Sequence, residues 1–199
     1  MIKTFLLIFS PASTWEKIEN EQQNVTRIFF LFLLPLLLFS TAGEAWGLLK
    51  FGKEQGLNEI LKPFPQDLVV RYEVFQAGVI LLILFALPWL FQKIGASFHR
   101  RHTYTECFAT LAYSVGPFLF VRPLAGFPWM NPWVCWGIGI FLAVAALYRG
   151  IPRLMKPDPS SALGLYLMCS LVLITVTGVA QFLAGLVLDE KLLATAFKF

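Results

Sequence analysis

Residues 106–126 are apolar enough to enter a membrane, yet Gly116-Pro117 falls near their middle, and this pairing constrains the fold most. A proline inside a helix lacks the N–H that would bond the carbonyl four residues back, here that of Tyr113. Its ring also presses on that turn, so a kink or break is expected at this point. In hydrocarbon the freed carbonyl cannot stay bare. The stretch must therefore be sheathed by other hydrophobic segments, and a helix bundle follows.

Composition supplies those segments. The 199 residues are 57% hydrophobic and 14% charged, with a mean hydropathy of +0.68. Soluble domains carry about a quarter charged residues, so this depletion points to an integral membrane protein. The expected fold class is all-α: a polytopic membrane helix bundle with five transmembrane helices and a short N-terminal interfacial helix. Apolar runs place the spans at about 28–49, 74–94, 106–122, 133–148 and 163–188, each long enough to approach or cross a core of roughly 30 Å. The domain division expected is an amphipathic segment over 1–26 and a membrane domain over 27–199.

In the leading segment, residues 1–9 have too short an apolar core and no small-residue cleavage site, so they are not read as a signal peptide. Ser10-Pro11 predicts a helix start and Ser13-x-x-Glu16 a capping box. Trp15 and Ile18 share one side of this helix, with Trp15 expected as an interface anchor. Residues 51–72 are expected to be a long connection, and 149–162 a basic, proline-rich loop. Gly47 to Lys53 has the glycine–lysine spacing of a phosphate-binding loop. Glu54 stands where a magnesium-binding hydroxyl belongs, so the match is read as chance.

The polar residues divide into few groups. Tyr113, Ser114, Gly116 and Pro117 mark the interrupted helix; Thr177 and Gln181 lie on one polar face of the last span, with Ser170 and Ala184. Thr177 and Gln181 are expected to meet the orphan carbonyl of Tyr113, making these six residues a packing or binding set. Glu44, beside Trp46 and Lys50, is expected at headgroup level, with no charge deep in any span. His99-Arg100-Arg101-His102 reads as a topology signal. Arg100 and Arg101, with Arg153 and Lys156, could also contact anionic lipid. His99, His102 and Glu106 make no recognised metal set, and the three cysteines show no CxxC, so neither a metal site nor a disulfide is expected.

Nine of the sixteen lysines and arginines fall in segments that lie on the N-terminal side of an odd five-span arrangement, and those loops are the shorter ones. Basic density orients spans, which predicts a cytoplasmic N-terminus and an external C-terminus.

Taken together, the pattern resembles the Yip1 domain family. The resemblance is carried by five spans over about 200 residues, by Ser10-Pro11 followed by Trp15, by Ala112-Tyr113-Ser114-Val115-Gly116-Pro117, and by Gly150-Ile151-Pro152-Arg153 before the last span. Eukaryotic members act in Rab GTPase binding and vesicle traffic at the Golgi and endoplasmic reticulum. They carry an acidic-Leu-Tyr-Gly-Pro element in a long cytosolic region before the first span; only about 26 residues precede it here and the element is missing. Rab binding is therefore not implied. The chain is similar to the short bacterial members, which implies an inner (cell) membrane location.

The sequence contains no HExxH, no GxSxG and no paired intramembrane aspartates. A non-enzymatic membrane protein without cofactors is expected, acting through helix packing, a membrane-protein partner, self-association or an effect on lipid organisation; nucleic acid is not a partner. The alternative is a small carrier or channel with its site at the proline-broken third span. A lipid-acting enzyme using His99, His102 and Glu106 is the least supported reading.

Overall fold

The computed structural model describes residues 11–21, 24–55, 60–98 and 102–188. Residues 1–10, including the expected cap at Ser10, lie outside this set, as do His99, Arg100 and Arg101. Helix α1 is Pro11–Glu21. It opens on its proline, where the absent N–H costs no hydrogen bond. Ser13 thus sits inside the helix, and the capping box expected there does not start it.

Five longer helices follow, each apolar enough to cross a membrane. The first, α2 (Val25–Lys50), contains a π turn at Phe29–Leu33 in which Leu34 N–H bonds Phe29 C=O. The wider turn stands immediately before Pro35, whose missing N–H and bulky ring a regular turn would accommodate poorly. A two-stranded antiparallel ribbon, β1 (Lys53–Gln55) and β2 (Ile60–Lys62), lies within the connection expected as plain loop.

Helix α3 is Gln66–Ser97 and begins eight residues before the expected span. At about 1.5 Å per residue its 32 residues exceed the hydrocarbon thickness, so its first polar turns form part of the bundle's end. Arg71 and Asp67 pair across one exposed turn at 2.9 Å.

Helix α4 (Tyr104–Val121) is closed at its start by a full capping box: Glu106 N–H donates to Thr103 Oγ1 at 3.3 Å, and Thr103 N–H to Glu106 Oε2 at 3.0 Å. The helix runs on through Pro117 without a break, which corrects the expected interruption. Residues 107–117 are all buried, so packing on every side holds the helix where one hydrogen bond is lost. The sheathing expected on physical grounds is present. Of the apolar window in this third span, 72% is buried in protein, against 17–44% in the others, making α4 the central helix. A 3₁₀ turn, Arg122–Gly126, follows it and packs closely on α2. There a Cβ on Gly47 would meet Gly126 carbonyl atoms at 2.7 Å. Close backbone approach explains Gly47, and no phosphate loop is needed.

Helix α5 is Pro132–Gly150, capped by Asn131 Oδ1 accepting from Trp133 N–H at 2.8 Å. It continues as a π turn, Ile151–Met155, where a loop was expected, and stops at Lys156, whose φ of 46° is left-handed. Helix α6 (Ala162–Leu188) lies against α3 and α5. The shared core includes Leu36, Phe91, Phe108, Leu111, Leu119 and Leu147. Trp15 and Ile18 join it from α1, and Trp15 has no exposed surface. It is a core residue, not an interface anchor.

Candidate functional site: a buried charge cluster and a basic cleft

The alternating direction of successive spans brings the end of α2, the start of α3 and the end of α4 to one end of the bundle. Glu44 comes from α2, Tyr72 and Glu73 from α3, and Arg122 from the 3₁₀ turn that follows α4. Arg122 Nε lies 2.7 Å from Glu44 Oε2, and Arg122 Nη2 donates to Glu73 Oε2 at 2.8 Å. Tyr72 Oη donates to Glu44 Oε1 at 2.9 Å, and Arg122 Nη1 reaches Ser40 Oγ at 3.4 Å. The Arg122 and Glu44 side chains are 4% and 3% exposed, so this is an interior network that two spans and the 3₁₀ turn share. It corrects one expectation: the Glu44 side chain faces the protein interior and not the headgroups. Two carboxylates face one guanidinium, which leaves a single excess negative charge when all three are ionised. Beside them a cavity of about 10 Å³, room for one water, is lined by Gln76, Trp136 and Gln181 among others.

Of the residues chosen from sequence, Tyr113, Ser114, Gly116 and Pro117 are buried together in α4. The Tyr113 ring packs against Phe32 at 4.7 Å and edge-on to Trp15 at 6.3 Å. Thr177 Oγ1 donates its one proton to Leu173 C=O in its own helix at 2.7 Å, so it is not available to the Tyr113 carbonyl. Gln181 lies with Glu44 and Arg122 at the charge cluster instead.

The opposite end holds a second polar group. Glu19 of α1 takes Lys156 Nζ at 2.7 Å and Arg153 Nη1 at 3.7 Å, tying α1 to the end of α5. His102 is buried against Gly95, and Gln92 Nε2 donates to its carbonyl at 2.9 Å. Glu106 is engaged in its capping box. Among the described residues no group of three or more His, Cys, Asp or Glu could hold a metal ion, and Cys107, Cys135 and Cys169 are buried free thiols.

The Lys156 hydrogen bond, reinforced by the Lys156 and Arg153 charges, holds the Glu19 carboxyl below its ordinary range. A depressed carboxyl stabilises the fold above its unfolded pKa and loses that contribution as pH falls through its folded value. Amide-exchange protection over residues 11–21, taken relative to the intrinsic rate at each pH, is therefore expected to fall on acidification below the ordinary carboxylate range. In a Lys156→Gln protein that acid dependence should shrink.

Five apolar helices, one of them buried at the centre of the other four, define a polytopic α-helical membrane protein. A family model, Yip1 domain, matches residues 5–182, and the chain belongs to the Yip1 domain family. No curated protein and no solved structure matches it.

Proposed function

We propose that this protein is non-enzymatic and acts through its packed bundle, by binding a membrane partner and organising the surrounding membrane. The observation that supports this reading is the filling of the central helix: residues 107–117 are buried without interruption, with Phe108, Leu111 and Leu119 among the core side chains around Ser114. A carrier using the third span would line that depth with a wet path. On the outer surface, a Cβ added at Gly137 or Gly185 would meet nothing, so a second helix could approach α5 and α6 closely there. With the N-terminus cytoplasmic and the protein in the cell membrane, the Glu19–Arg153–Lys156 end faces the cytoplasm.

Photo-crosslinkers at positions 137 and 185 in native membranes are expected to yield discrete adducts with one protein or with a second copy. Diffuse lipid-only adducts at both positions would overturn the partner reading. The charge cluster favours one second reading, a small carrier or channel centred on Arg122. Proteoliposomes that pass protons faster than empty vesicles, and lose this in Glu73→Gln, would establish it.

A further inference from the structure

Between α1, the end of α5 and the start of α6 lies a cleft of about 480 Å³, whose charged lining residues are Arg149 and Arg153. Arg149 has no ion pair or hydrogen bond among the described residues. Arg153 stands 3.7 Å from Glu19 through Nη1 alone, leaving the rest of its guanidinium available. Lys156, by contrast, is held by Glu19 at 2.7 Å and does not line this cleft. The start of α6, at Ala162 and Leu163, also borders it and adds the positive end of a 27-residue helix.

The remaining walls are aromatic and apolar. Tyr148 and Tyr166 meet edge to face at 5.1 Å, and Trp15 closes the inner side. Tyr148 and Leu163 are 58% and 63% exposed, and Leu167, one turn further along α6, is 56% exposed. These lie on membrane-crossing helices, so the cleft opens on one side into the apolar surface that lipid covers. A free phosphate would use the arginines and leave that surface idle. An amphiphile uses both.

We infer that this cleft is a binding site for one anionic phospholipid, its phosphodiester held by Arg149 and Arg153 and its acyl chains laid along Leu163 and Leu167. Guanidinium forks match phosphate oxygens geometrically, which an ammonium does not. Glu19 is the internal competitor: the carboxylate that draws Arg153 away from the cleft. The inference deepens the membrane-organising reading above and rests on it, since the site gives the bundle a lipid preference.

The test is native mass spectrometry of the full chain released from nanodiscs of phosphatidylcholine containing phosphatidylglycerol. Wild-type protein is expected to retain one phosphatidylglycerol in preference to phosphatidylcholine. Arg149→Gln with Arg153→Gln should lower that retention roughly tenfold or more. Arg71→Gln, an exposed cation at the other end of the bundle, should not. Glu19→Gln should raise retention, which keeps the inference testable should the double variant fail to fold. Equal retention in the double variant, a fall in Glu19→Gln, or displacement of the lipid by millimolar inorganic phosphate would overturn it, the last in favour of a free phosphate ligand. Crosslinking at positions 137 and 185 in the same variants separates the two readings: lost lipid preference with intact adducts touches the cleft alone.

Discussion

Arg122→Gln is expected to destabilise the folded bundle by about 3–5 kcal/mol, the cost of leaving buried carboxylates without their cation. An exposed pair would be worth about 1 kcal/mol or less, so burial decides the magnitude. The Arg122 and Glu44 side chains are 4% and 3% exposed and that of Glu73 is 10% exposed, so water cannot replace the guanidinium. Thermal unfolding in mild detergent should show a midpoint roughly 10 °C lower, at about 2–4 °C per kcal/mol for a chain of this size. Arg122→Lys should fall between, because a compact ammonium cannot span Glu44 and Glu73 at once as the planar guanidinium does through Nε and Nη2. Adding Glu44→Gln and Glu73→Gln to Arg122→Met should recover most of the loss, since the removed partners no longer carry charge. A midpoint for Arg122→Gln within 2 °C of wild type would mean that the cluster is solvated and not a lock.

That cluster shows where sequence reading stops. The spans were legible because hydrocarbon imposes a length and a composition on each of them. Pro117 also gave the correct demand, that α4 be surrounded, although the helix tolerates its proline unbroken because the packed neighbours hold both sides. The ionic network could have been anticipated from span direction alone. Glu44 closes one apolar stretch, Glu73 opens the next and Arg122 closes the third, so all three must arrive at the same membrane face. Reading Glu44 against its sequence neighbours Trp46 and Lys50 hid this, because the partners are 29 and 78 positions away. The Thr177–Tyr113 pairing was expected wrongly for a related reason: a polar stripe marks a contact face without saying which helix it meets. The α6 stripe meets α3 and α5, and Thr177 satisfies its own helix. Helix extensions were misjudged where polarity was taken for loop. The first turns of α3 and the π turn after α5 are polar yet helical, because Tyr72 and Glu73 are buried in one and Arg153 is paired in the other.

Trp15→Ala is expected to cost about 3–5 kcal/mol, the range for emptying a buried indole site, and to release α1 from the bundle. The expectation follows from full burial and two close contacts. The indole has no exposed surface, meets Tyr113 edge to face at 6.3 Å, and lies so close to Gly150 that a Cβ there would stand 2.6 Å from the ring. Its Nε1 has no hydrogen-bond partner among the described residues, so the side chain serves by volume. An interface anchor would behave otherwise, losing little on exchange for phenylalanine and leaving the helix ends indifferent to Gly150. The sign of a second substitution separates the two roles. In the wild-type protein Gly150→Ala forces a methyl group into the indole and should destabilise. Gly150 has ordinary right-handed helical angles, φ −72° and ψ −43°, so in a Trp15→Ala background the same methyl meets open space. There it should stabilise by up to about 1 kcal/mol through helix propensity. This reversal, read from unfolding midpoints of the four proteins in one cycle, requires direct contact between the two sites. If Gly150→Ala has the same sign in both backgrounds, Trp15 does not pack on the end of α5, and the attachment of α1 there fails with it.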